Sequence, residues 1–292
     1  MAVAETAIAE IEQTITRLRS LNPTTVQHQW RRSPLVTGLS LDQVRQQGPG
    51  GQGADLNERG HVPWPRGQHE LWLYQRLSVP ASLQGFPLAG YGLRLGLTWW
   101  ADLAEIFVNG DRVQVGDLFD CFTRILLSDR VAPGASFEII LHLISPGHDD
   151  GALVQADVIY EAPEGIGPEP GFVADELAVL SAYLQHLAPA EVSKVAALVA
   201  ALDWSPVGDQ ALFTGELQRL RQHLLPWSNW LKRRQLNCAG HAHLDLAWLW
   251  PIEDTWDAAQ RTFHSVLGLQ QDFPELTYTH SSPALFDWLE TH

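Results

Sequence analysis

Between about residues 62 and 162 the chain is written in a two-residue rhythm. The runs "ELWLYQRLSVP", "YGLRLGLTWW", "EIFVNGDRVQVG", "TRILLSDRV", "SFEIILHLIS" and "ALVQADVIY" alternate apolar and polar residues or run apolar, and turn residues part them. Successive side chains of a strand point to opposite faces, so this pattern buries one face of a sheet. No helical stripe interrupts the region. In "EIFVNGDRVQV", Asn109-Gly110 sits between two such runs and tolerates the positive φ that a tight hairpin turn requires. Many short strands without intervening helices predict an antiparallel β-sandwich.

Helical patterns flank it. Ile8, Ile11, Ile15 and Leu18 form one apolar stripe over residues 5–21, and "LNP" ends it. Residues 47–60, rich in Gly and Gln, read as a loop or linker. From 172 to 226 the spacing is again helical. Leu177, Leu180, Leu184 and Leu187 form one stripe, Val192, Val195, Val199 and Leu202 another, and a third helix over 209–225 is expected to stop at Pro226. After 233 come a short strand in "QLNCAG", a helix in "EDTWDAAQRTFHSVLGLQQDF", a strand in "LTYTH" and a helix in "SPALFDWLETH". Strand, helix, strand, helix opens a parallel α/β arrangement. The expected organisation is an N-terminal helix (1–30), a β-sandwich domain (31–165), a helical connector (166–232) and an incomplete α/β unit (233–292), an α+β multidomain chain.

Charge excludes some partners. The formal net charge of −15 lacks the basic footprint that nucleic acid or an anionic membrane requires, and suits a neutral or cationic ligand. The first twenty residues lack the basic and apolar regions of a signal peptide, and "VAALVAAL" is far too short to span a bilayer. Two cysteines supply no disulfide framework, so a cytoplasmic location is expected.

The stretch that carries chemistry is "CAGHAHLDLAWLWPIED", residues 238–254. His243 and Asp245 are two positions apart after a strand, where ligands of α/β folds gather. An imidazole and a carboxylate make half of a site for zinc or another divalent ion, with His241 sharing it or supporting it. A satisfied polar turn, with Asp245 capping the next helix, is the local alternative. Glu253 and Asp254 suit the start of a helix through its dipole. His280, ending the second strand, either faces the same site or is a polar strand end.

"GHAHLDLAWLWPIEDT", followed by "SVLGLQQDFPELTYTHSSPALFDWLE", resembles the start of the catalytic domain of glycoside hydrolase family 38 α-mannosidases. The preceding β-region, above all "LAEIFVNGDRVQVGD", is similar to the family's N-terminal sandwich and to galactose-binding-like or jelly-roll sandwiches in general. The resemblance implies that residues 233–292 are the first two βα units of a parallel α/β barrel. It implies that His243 and Asp245 are zinc ligands and that Trp248 packs against the sugar. It also implies a retaining exo-glycosidase acting on terminal α-mannosyl residues of a glycan, with a covalent intermediate on one carboxylate and acid/base catalysis by another. By the same resemblance the nucleophile, the acid/base and the remaining ligands lie beyond residue 292. The chain by itself is then expected to be inactive, and uncovered apolar residues such as Leu285, Trp288 and Leu289 are expected to favour a homo-oligomer.

Other readings compete. A metallo-β-lactamase-like His-x-His-x-Asp-His run would need histidine where Leu246 stands, and the amidohydrolase His-x-His lacks the "AWLWP" sequel. A non-catalytic carbohydrate-binding or scaffolding module would use Trp99 and Trp100, although alternation turns at least one of them inward. "GHDDG" at 147–151 reads as a turn, or as a calcium seat through Asp149 and Asp150.

Overall fold

A computed structural model describes residues 2–33, 38–163 and 167–291. The chain divides into two compact units, Met1–Ser228 and Asn229–His292. The expected domain boundary at 165/166 falls outside the described residues.

The first unit holds α1 (Ala2–Arg19), β1 (Pro23–Thr25), β2 (Arg31–Arg32), α2 (Leu41–Gln47), β3 (Gln52–Gly53), β4 (Val62–Trp64), β5 (Glu70–Ser78), β6 (Ser82–Leu83) and β7 (Phe86–Pro87). It continues with β8 (Gly92–Trp100), β9 (Leu103–Val108), β10 (Asp111–Gly116), β11 (Phe122–Ser128), β12 (Ser136–Ile144), β13 (Gly151–Glu161), α3 (Pro170–Leu187) and α4 (Val192–Ala200). Two larger antiparallel sheets result. One has the order β1-β13-β8-β11, with β4 also on β13; the other runs β10-β9-β12-β5-β2-β3. The unit is thus α+β with antiparallel sheets.

The alternation read from the sequence becomes burial. In β8 Leu93, Leu95, Leu97 and Trp99 are buried, whereas Trp100 faces outward. At about 1.5–3 kcal/mol per buried large apolar side chain, such rows dominate the unit's stability. Asn109 and Gly110 have φ of 52° and 96°, so the predicted hairpin turn forms between β9 and β10. Trp99, 2% exposed, donates its indole N–H to the Asp117 carbonyl at 3.1 Å. Its ring fills the space where a Cβ at Gly116 would stand, which ties β8 of one sheet to β10 of the other.

The helical stripes also find cores. Ile11, Ile15 and Leu18 of α1 and Leu177, Leu180 and Leu184 of α3 are buried, as are Val192, Val195 and Val199 of α4 and the following Leu202. Leu187, placed in the same stripe, is 51% exposed because α3 ends there.

A helix not anticipated from the sequence, α2, precedes the Gly- and Gln-rich stretch and is opened by a capping box in which Ser40 and Gln43 bond each other's backbone N–H. Three local expectations change. The helix expected to stop at Pro226 runs as α5 from Gln210 to Leu231. Proline costs one backbone bond there, but the turns on either side keep theirs. In the second unit "QLNCAG" contributes to a strand only at its end, β14 (Gly240–His241), followed by α6 (Ile252–Asp272), β15 (Tyr278–Thr279) and α7 (Pro283–Thr291). Leu285, expected to be uncovered, is buried, whereas Leu289 is 37% exposed and Trp288 stacks on Trp256 at 5.1 Å.

Candidate metal centre

β14 and β15 pair in parallel, Gly240 with Tyr278 and His241 with Thr279. Parallel pairing brings both carboxyl ends to one side. There the chain sets His241 as the last residue of one strand, His243 and Asp245 after it, and His280 and Ser281 after the other.

His243 Nε2 lies 2.9 Å from Asp245 Oδ1, and the two side chains are 76% and 44% exposed. Two donors each about 2.0–2.1 Å from a tetrahedral cation stand about 3.3 Å apart. An opening of about 0.4 Å at exposed side chains would therefore admit zinc between them. The pair fits half of a tetrahedral site. Among the described residues no group of three or more His, Cys, Asp or Glu is arranged to hold a metal.

The neighbouring histidines form a second layer. His241 Nε2 is 3.2 Å from Ser281 Oγ, and its ring stacks on His280 at 5.7 Å and 24°. His280 Nδ1 accepts the Ser282 backbone N–H at 3.1 Å, which leaves the proton of the neutral ring on Nε2. Burial first, then the nearby His241 and His243, hold this imidazole below its ordinary range. His280 thus lies beside the strand-end cluster.

One residue that pins the loop was not legible beforehand. Thr255, 1% exposed in the first turn of α6, donates to the Asp245 carbonyl at 3.1 Å. It accepts the Ala247 N–H at 3.2 Å and the Trp250 indole N–H at 3.0 Å. All three hydrogen-bonding capacities of its hydroxyl are used, and Ala247 is held at a φ of 50°. Its sequence signal is faint, since a hydroxyl in a helix's first turn ordinarily reads as a surface group.

Trp248 lies on this loop, 68% exposed, edge-to-face with Trp250 at 5.8 Å. Glu253 and Asp254 occupy the first turn of α6, as the dipole favours. In the first unit "GHDDG" forms a turn. Asp150 Oδ1 accepts the Arg66 N–H and Asp149 Oδ1 accepts the Asp150 N–H, at 2.9 and 2.8 Å.

The fold and site define a class: a multidomain α+β chain whose second unit carries metal-capable side chains where two parallel strands end. Residues 233–292 match the family model described as glycosyl hydrolases family 38 N-terminal domain. Among named relatives, the chain is 24% identical over 82 residues to alpha-mannosidase G of Dictyostelium discoideum, covering 28% of this chain and 8% of that one. It is 30% identical over 56 residues to alpha-mannosidase 2C1 of Homo sapiens, covering 19% and 5%. The chain thus spans a small part of the length of the relatives it matches. Among solved structures, a glycosyl hydrolase family 2 member from Bacteroides cellulosilyticus is similar over 50% of this chain and 22% of its own, with 13% identity and a TM-score of 0.36. A beta-glucuronidase from Ruminococcus gnavus covers 49% and 29%, with 9% identity and a TM-score of 0.33. No helix among the described residues is long and apolar enough to cross a membrane.

Proposed function

We propose that this chain is the N-terminal part of a cytoplasmic, zinc-dependent, retaining α-mannosidase that hydrolyses terminal α-mannosyl residues of glycans or oligosaccharides. In this reading the first unit is a jelly-roll sandwich with its helices, and the second supplies the first two βα units of a parallel α/β barrel. His243 and Asp245 hold zinc, and Trp248 lays its exposed ring against the sugar. The catalytic carboxylates are assigned to none of these residues. When bound, zinc would act as a Lewis acid on neighbouring sugar hydroxyls. The chain's own part is to aim the two donors, through the strand pair and the Thr255 clasp, and to offer an apolar wall. The substrate is neutral, in keeping with a chain of net charge −15, and neither nucleic acid nor a membrane is a partner. Apolar side chains left exposed in the second unit, such as Leu267 and Phe286, favour a homo-oligomer.

The observation that carries this reading is the convergence of His243 and Asp245 at a parallel strand end, inside the segment that matches family 38. Zinc binding by the full chain, followed by equilibrium dialysis and metal analysis, tests it. His243→Ala and Asp245→Asn are each expected to weaken zinc binding at least tenfold. Equal zinc content in the parent and both variants would sink the assignment.

A further inference from the structure

The outward face of the first sheet has an unusual surface. Cross-strand pairing sets its rows: Phe122, Thr98 and Gln155 in one, Arg124, Gly96 and Asp157 in the next, and Leu126, Arg94 and Ile159 in a third. Trp100 stands diagonal to Phe122, because Phe122 pairs with Thr98. Trp100 and Phe122 are 36% and 58% exposed. A water-facing sheet face is ordinarily polar, so two adjacent outward rings call for a partner.

The polar groups beside the rings are held in place. Glu161 binds Arg94 at 2.7 Å with one oxygen and Arg124 with the other, and Gln155 donates to Asp157. Beside the rings, Arg94 and Arg124 are thus offset by Glu161 and Asp157, and Glu169 stands beyond them near Glu161 and Arg124, so the face carries no excess of positive charge. Gly96 leaves a gap between the rows, where a Cβ would meet nothing closer than 3.7 Å. The three rows extend about 10 Å across the strands and about 13 Å along them.

We propose that this face binds a neutral oligosaccharide, with Trp100 and Phe122 stacking on sugar rings and Gly96 forming the floor. A pyranose presents an apolar C–H face to an aromatic ring and hydroxyls to fixed planar amides, carboxylates and guanidiniums. The paired charges and the two rings match a neutral polyol with apolar C–H faces rather than an anion. Trp99, which points inward, takes no part. The surface lies wholly in the first unit and stands apart from the metal-centre reading.

Native electrophoresis of the full chain through gels containing α-mannan or dextran, with EDTA present, tests the proposal. Retardation by at least one polysaccharide is expected, with Trp100→Ala and Phe122→Ala each weakening it at least tenfold. Gly96→Gln fills the floor while leaving both rings, and should abolish retardation without lowering the melting temperature. Phe119→Ala, at a turn residue 90% exposed, should migrate as the parent does. No retardation in either gel, or retardation of Gly96→Gln equal to the parent, overturns the proposal. Retardation lost in His243→Ala but kept in Trp100→Ala would place the glycan at the strand-end cluster, overturning this surface while leaving the glycosidase reading intact. A dimer seen by light scattering that Trp100→Ala dissolves, without retardation in any gel, would make the face a protein interface and also overturn it.

Discussion

The two units of the chain spend their aromatic side chains differently. In the first, Trp30, Trp64, Trp99, Tyr160, Phe86 and Phe213 are fully enclosed. In the second, the buried side chains among the described residues are Thr255, Ala259 and Leu285, and the rings touch one another at the surface, as Trp256 and Trp288 do at 5.1 Å. A core stabilises in proportion to the apolar area it removes from water. The first unit therefore carries its own stability. The second positions its polar cluster with a thin core and a few hydrogen bonds, as functional regions often do.

Trp99→Ala is the largest perturbation on which this contrast can be broken. Emptying a closed site in the first unit is expected to cost about 3–5 kcal/mol. Calorimetry should show the main transition falling steeply, while hydrogen exchange at residues 240–241 and 278–279 stays unchanged. Equal acceleration in both units would mean one cooperative body and end the comparison.

Thr255→Val should act the other way round. It removes the hydroxyl but keeps the shape, leaving the Ala247 and Trp250 N–H groups without their partner. The expected cost is about 1–3 kcal/mol, confined to the second unit. Zinc affinity should drop and the Trp250 indole proton should shift in the NMR spectrum, whereas Thr255→Ser should restore both. A zinc affinity untouched by Thr255→Val would show that the clasp does not aim the donors.

The smallest effect concerns pH. On the second sheet Glu105 lies 2.9 Å from His142 Nδ1 and 2.6 Å from Arg112 Nη1. The His142 hydrogen bond, chiefly, and then Arg112 hold its carboxyl below the usual 4.5. A depressed folded value means stability present above that ordinary value and lost as the pH falls through the lower one. Glu105→Gln is expected to cost about 1 kcal/mol at neutral pH, with the difference shrinking in acid below pH 4.5. Urea titrations across that range check it, and a difference independent of pH would remove Glu105 from the acid response.

Some of this architecture was legible from neighbouring residues alone. The alternation of 93–99 and the Asn109-Gly110 turn each depend on geometry within a few positions. The stripes of α1, α3 and α4 rest on the same kind of evidence. The capping box that starts α2 is written in Ser40 and Gln43, but its two hydrogen bonds show only in the structure. Proline at 226 pointed to an end, but α5 continues to Leu231. His243 and Asp245 were readable as a pair because spacing and strand position suffice for that.

Composition and order determined by themselves the strand-rich middle, the helical flanks, the acidic balance and the metal-capable motif. Tertiary structure alone decided that β13 lies between β1 and β8, that Leu285 is enclosed, and that Thr255 reaches the Asp245 carbonyl. The repeat of a helix or strand is set by backbone geometry over a few residues. The choice of a distant partner depends on the packing and hydrogen bonding gained when remote segments meet.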